Sequence, residues 1–255
     1  MTEESNATGE IPHRPPVCPE PIGRTMLTNT WRRLAFLHWR YDPAEVQSLL
    51  PDGLTVDVAD GSAWVALVPF EMQVGLWPFP PLPYLTVFPE TNVRTYVKGP
   101  DGGNGVYFFS LDVNRPHVVA TARGVWGVPY TWSTMSMDAE PTTRGSRWRY
   151  EATRRWPHKG RTSVVDVEIG EVVDEPSELE NFLTGRWSLY ERRFGRITKA
   201  KVDHPPWPLR HATAEHVDDQ LIRAAGLPAP TGRPHGLYSP GVPVRVGLPR
   251  RIDAG

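Results

Sequence analysis

Cysteine and lysine are the scarcest reactive residues in this chain of 255. A single cysteine, Cys18, excludes an internal disulfide, and no Cys/His cluster has zinc spacing, so no metal is expected. Only four lysines occur among 28 basic residues: Lys98, Lys159, Lys199 and Lys201. The chain has no excess of either charge; its formal net charge is −1. A nucleic-acid binder concentrates basic residues on one face. The arginine pairs here (Arg32-Arg33, Arg154-Arg155, Arg192-Arg193, Arg250-Arg251) are scattered, and no nucleic-acid partner is expected. No apolar run approaches the ~18 residues of a membrane span. The acidic, polar start Met1–Ser5 does not read as a signal peptide, so the expectation is a soluble, cytoplasmic protein. Nucleophile-elbow, phosphate-loop and dinucleotide fingerprints are all missing, and no cofactor is expected.

What is abundant is proline, glycine and aromatic side chains. The 28 prolines and 22 glycines form about a fifth of the chain, which excludes a helical bundle or a coiled coil. The 10 Trp, 8 Tyr and 8 Phe, at roughly 150–250 Å² each, supply much of a core. Residues 1–25 hold five prolines and little apolar content, and read as a disordered arm. From there the texture is uniform, which argues for one domain over 26–252.

Strands are expected at 36–41, 54–58, 63–70, 91–98, 106–113, 118–124, 135–138, 148–156 and 164–173. Val242, Val244, Val246 and Leu248 alternate as a closing strand. A helix follows Asp42-Pro43, with Asp42 as N-cap and Pro51 as stop. Another starts at the capping box Ser177-Glu178-Leu179-Glu180, and a third covers 218–225. The sum is a mainly β protein with a few short helices, a largely antiparallel barrel or sandwich. The run Trp77–Pro83 reads as a stiff loop, with a ligand segment for a partner domain as the weaker alternative.

Three stretches carry candidate chemistry. In Glu90-Thr91-Asn92-Val93-Arg94-Thr95-Tyr96-Val97 the period of two puts Glu90, Asn92, Arg94 and Tyr96 on one face. Alternation alone favours solvent for that face. Turned inward, it would stack a carboxylate, an amide, a guanidinium and a phenol in a column suited to an anionic or carbonyl-bearing molecule. In the second stretch, Arg123 shares a strand face with Thr121, and Tyr130 follows Pro129 at a turn. There it either meets a ligand or plugs the end of the fold. In the third, His204 stands among prolines as a general base or a packed structural histidine.

These stretches, in the order His38–Pro43, Leu50–Asp57, Glu90–Val97, Ala122–Tyr130 and Asp203–Leu209, resemble the YqjF-like family of conserved bacterial proteins. That family looks like a branch of the acetoacetate decarboxylase-like superfamily. The resemblance covers nearly the whole chain after the arm. It implies a cone-shaped, mostly antiparallel β-barrel with an internal pocket. The decarboxylases work through a Schiff-base lysine. Their lysine pair falls here on Tyr130 and Thr131, and a second pocket glutamate falls near Ala66. A pocket arginine and glutamate match Arg32 and Glu90.

The resulting expectation is a protein that binds a small anionic or carbonyl-containing metabolite and, in the catalytic reading, transforms it without an imine. Glu90 and Tyr130 are the catalytic candidates. Arg32, Asn92, Arg94, Tyr96, Arg123 and His204 are the substrate-binding ones. The chemistry expected is acid–base, of lyase, hydratase or isomerase type. A non-catalytic binding barrel or sensor, and a protein-interaction module, are the alternatives, and homo-oligomerisation is left open.

Overall fold

The computed structural model describes residues 10–20, 22–75, 86–142, 145–193 and 195–252. The stretch Trp77–Pro83 lies outside them. The chain runs β1 (Thr25–Tyr41), α1 (Pro43–Gln47), β2 (Thr55–Val56), β3 (Ala63–Gly75), β4 (Val87–Lys98) and β5 (Asn104–Val113). Then come α2 (Pro116–Thr121), a π-helical turn (Ala122–Trp126), β6 (Tyr130–Thr142), β7 (Gly145–Trp156) and β8 (Thr162–Val172). Last are α3 (Glu178–Thr184), β9 (Ser188–Arg193), β10 (Arg196–Asp203), β11 (Arg210–Asp219), α4 (Leu221–Ala224), β12 (His235–Gly247) and β13 (Arg250–Arg251). The molecule is mainly β with short helices.

The helix starts follow local chemistry. Asp42 caps α1 by accepting from the Ala44 amide, with Pro43 at the first position. Ser177 and Glu180 close a reciprocal capping box on α3. The stretch 118–124, expected as a strand, is helical. Pro116 presets the helical φ at the first position, and helical hydrogen bonds then outweigh the Val118-Val119 preference for extended backbone.

Among the described residues thirteen strands join one sheet, in the order β13-β10-β9-β5-β6-β7-β8-β11-β12-β1-β3-β4-β2. Two further pairings, β4 with β5 and β10 with β12, turn the sheet back on itself. They create two closed circuits of paired strands that share β12, β1, β3, β4 and β5. One circuit is completed by β6, β7, β8 and β11, and the other by β9 and β10. The pairings are antiparallel apart from β5 with β6 and β5 with β9.

The shared strands therefore bury both faces, and Ala63 to Phe70 of β3 is buried without a break. One face meets a packed core that includes Leu37, Leu67, Val93, Tyr150 and Val167. The opposite face, with Leu34, Phe36, Val68, Phe70 and Phe88, looks into the second circuit. Two irregularities set the facing. In β4–β5 the register jumps between Val93 and Arg94. The extra residue in β5 lets Phe108 and Leu111 both face the second circuit, while Ser110 and Asp112 turn away to bond Arg154. In β1, Arg33 has φ 56° where the ladder to β3 is interrupted.

Residues 10–20 differ from the expected disordered arm in lying against the fold. Arg14 is buried and bonds Asp57 Oδ2 at 2.6 Å, and Pro15 O accepts from Trp187 Nε1 at 3.2 Å.

Candidate functional site

The second circuit encloses a cavity of about 440 Å³. Its floor along β4 is set by period two: Phe88, Glu90, Asn92 and Arg94 all face it. The polar column of the sequence thus looks inward. Walls come from β1, β3, β5, β9, β10 and β12, and most of them are apolar. Trp31 stacks on Trp207 with centroids 6.2 Å apart and meets Phe70 at 5.7 Å, which forms an aromatic wall.

Glu90 is 2% exposed. Burial pushes its carboxyl up to about 8, against hydrogen bonds from Tyr130 and Asn92 that favour the anion; Asp112 adds to the rise. At neutral pH Glu90 is therefore mostly protonated. The Tyr130 hydroxyl donates to Glu90 Oε2 at 3.1 Å. Burial, then the neighbouring Glu90, holds that phenol well above its ordinary range. The pair is a buried hydrogen-bond donor system, the kind that stabilises a developing oxyanion.

Arg94 is buried with its guanidinium 5.5 Å from the Phe36 ring centre and 5.8 Å from that of Tyr96. Among the described residues the buried arginine–aspartate pairs are Arg14–Asp57, Arg186–Asp57 and Arg154–Asp112; Arg94 has no such partner, and its Nε has no hydrogen bond. A buried cation without an anion is costly, so this end of the cavity is poised for one.

His204 lies between Trp187 and Trp207, with ring centres 4.5 and 4.6 Å away. Its Nδ1 donates to Pro205 O at 2.8 Å, which leaves Nε2 as the bare acceptor. Burial lowers it to about 4, so it is neutral at pH 7.

Three candidates are placed elsewhere. Arg32 is exposed and faces Glu71, with its Nη1 3.9 Å from Oε1, because Trp31 takes the cavity face of β1. Tyr96 is fully buried beyond the inner end of the cavity. Its hydroxyl donates to Leu183 O at 2.9 Å and accepts from His38 Nε2 at 2.8 Å, so no donor is left for a ligand. Arg123 is on the exposed π-helical turn rather than a strand. It donates to Tyr130 O at 2.7 Å and covers the Trp156 ring, so it props the Tyr130 backbone from outside.

Two residues that the sequence did not single out belong to the cavity. Glu191, on β9, is 8% exposed with Oε1 unpaired. Burial holds it well above the ordinary carboxyl range against a backbone hydrogen bond from Phe108, and its charge acts on Tyr130. Arg186 is buried, donates from Nε to Phe182 O and from Nη1 to Asp57 Oδ2, and keeps Nη2 unpaired. Unpaired buried polar atoms also occur on Asn29, Trp31, Asn92 and Arg94, all lining the same cavity. Folded proteins rarely leave such groups unpaired, and their convergence marks a ligand site. The clue to Glu191 was the alternation of Leu189 and Glu191 on a short strand, hidden by the arginines that follow it.

None of the four lysines lines the cavity. Lys98 and Lys159 are exposed, Lys199 pairs with Asp101 at 2.7 Å, and Lys201 pairs with Glu20.

A sheet closed in this way around an internal cavity is the fold of the acetoacetate decarboxylase-like enzymes. Acetoacetate decarboxylase from Legionella pneumophila superposes with a TM-score of 0.60 at 12% identity, covering 92% of each chain. The enduracididine biosynthesis enzyme MppR, in its pyruvate complex, gives 0.62 at 15% identity over 91% of this chain and 92% of its own. Within that fold class, residues 28–243 match the DUF2071 model of uncharacterized conserved proteins, and the chain belongs to that family. The YqjF protein of Bacillus subtilis strain 168 is 29% identical over 216 residues, which cover 84% of this chain and 87% of that one.

Proposed function

We propose that the cavity takes a small metabolite bearing a carboxylate and a carbonyl, and that Glu90 and Tyr130 act on it by proton transfer and hydrogen bonding without an imine. The observation that carries this reading is a buried, anion-free Arg94 facing the same cavity as a buried Glu90 hydrogen-bonded to Tyr130. In this scheme Arg94, joined by Arg186, holds the carboxylate through charge-assisted hydrogen bonds. The carbonyl oxygen takes a hydrogen bond from the Tyr130–Glu90 pair. As negative charge grows on that oxygen in an enol-forming step, Glu90 gives it a proton, and the proton leaving the α-carbon passes to the bare Nε2 of His204, which lines the same cavity. The cavity holds no lysine to form a Schiff base. MppR, a relative in fold, is known in complex with pyruvate, a keto acid of the required kind.

Calorimetric titration with keto acids tests binding. Turnover separates an enzyme from a binding protein: Glu90→Gln is expected to keep ligand and lose rate, and equal rates in both proteins would remove Glu90 from the mechanism. Borohydride treatment in the presence of acetoacetate is expected to leave every lysine unmodified.

A further inference from the structure

The strand registers order the cavity in three zones. Arg94 pairs with Ala66, Asn92 with Val68, Glu90 with Phe70 and Phe88 with Met72, and Met72 in turn pairs with Trp31 of β1. The inner zone is cationic. Arg94 and Arg186 flank the same Tyr96 ring, at 5.8 and 4.5 Å, each with a buried N–H unpaired. The middle zone holds Glu90 with Tyr130, and Glu191 within electrostatic range of that hydroxyl.

Beyond Glu90, toward the exposed His117 and Thr121, the lining turns apolar: Phe70, Met72, Phe88, Trp31, Leu27 and Val74. A strand rises roughly 3.3 Å per residue, so Glu90 to Val87 spans about 10 Å of this outer wall. Acid and carbonyl groups occupy only the first two zones of a molecule that enters head first. A volume of about 440 Å³ also falls within the range of sites that enclose ligands far larger than a few-carbon acid.

We infer that the substrate is a keto acid with an extended apolar tail, acyl or aryl. Its carboxylate sits at Arg94 and Arg186, its carbonyl at Glu90 and Tyr130, and its tail lies along the Trp31–Phe70–Phe88 wall. This rests on the reading above and adds the tail to it. A three-carbon or four-carbon keto acid would fill the two polar zones and leave the outer apolar wall facing water.

The test is calorimetric titration of the full chain with 2-oxo and 3-oxo acids carrying methyl, hexyl and phenyl tails. Each methylene removed from water tightens binding roughly three- to fourfold, so the hexyl acids are expected to bind at least about 100-fold tighter than the methyl ones. Trp31→Ala is expected to shrink that gain. Val74→Asp, at a half-buried position toward the end of β3, does the same if Trp31→Ala fails to fold. If the short acids bind and the tail adds less than threefold, the inference is overturned while the keto-acid reading stands. If no acid of any length binds, both fall.

Discussion

Replacing Glu90 by Gln is expected to stabilise the protein, and the gain is expected to grow with pH. In the fold the Glu90 carboxyl is raised from 4.5 to about 8, chiefly by burial. A group whose folded value lies above its unfolded one favours the fold fully below the unfolded value, and that contribution is lost as pH rises through the folded one. Below pH 4 Glu90 is protonated in both states and costs nothing. Between 4.5 and 8 the unfolded chain releases a proton that the folded chain retains, and stability falls. Above 8 both states are ionised and the loss levels off at roughly 5 kcal/mol, of which about 3 is reached by pH 7. Gln cannot ionise, and its amide oxygen still accepts from Tyr130. Urea unfolding of both proteins at pH 4, 7 and 9 reads the effect, and taking the difference between them cancels the parallel contribution of Glu191. The expected pattern is equal stability at pH 4 and a Gln advantage of several kcal/mol at pH 9. Curves that stay parallel across this range would show that Glu90 ionises normally, and the proton donor would be lost from the site.

Other outcomes follow from the same geometry. Arg94→Gln removes a buried charge that lacks an anion, so the ligand-free protein is expected to gain stability. Keto-acid affinity should drop at least ~30-fold in the same variant, as calorimetry will show. Asp57→Asn strips the shared acceptor from Arg14 and Arg186 and is expected to cost about 3–5 kcal/mol in urea unfolding. Gly241 has φ +129°, and an added Cβ would lie 2.1 Å from Trp31 O, so Gly241→Ala is expected to lower stability by more than ~1 kcal/mol.

Much of the fold was legible because local signals and tertiary structure agree in it. The Gly-rich turn at 99–105 makes the β4–β5 hairpin, and the Ser177 capping box starts α3. The site was half legible. Alternation placed Glu90, Asn92 and Arg94 on one face, but period two is the same whether that face meets water or a cavity. What decides it is β4 serving both circuits of the sheet, a property of distant pairings.

The misplacements have equally local causes. Arg32 is one residue from the cavity face that Trp31 takes. Arg123 sits on a helical turn started by Pro116. Tyr96 shares the Arg94 face, but its hydroxyl is already committed to His38 and Leu183. Glu191 escaped notice because a charged residue next to arginines resembles a solvated edge. Its burial depends on β9 pairing with β5, about 80 residues earlier in the chain, and that of Arg186 on its pairing with the distant Asp57.

The central claim is that an anion-seeking Arg94 and a protonated Glu90 hold a keto acid in this cavity without a covalent bond to lysine. Native mass spectrometry of wild type and Arg94→Gln, each incubated with a bacterial metabolite extract and then with borohydride, tests it most directly. The account predicts a small acid retained by wild type alone and released on denaturation with no bond to the protein, as the keto acid or the hydroxy acid that borohydride makes from it. Equal retention by both proteins, or a borohydride-fixed adduct on any lysine, would contradict it.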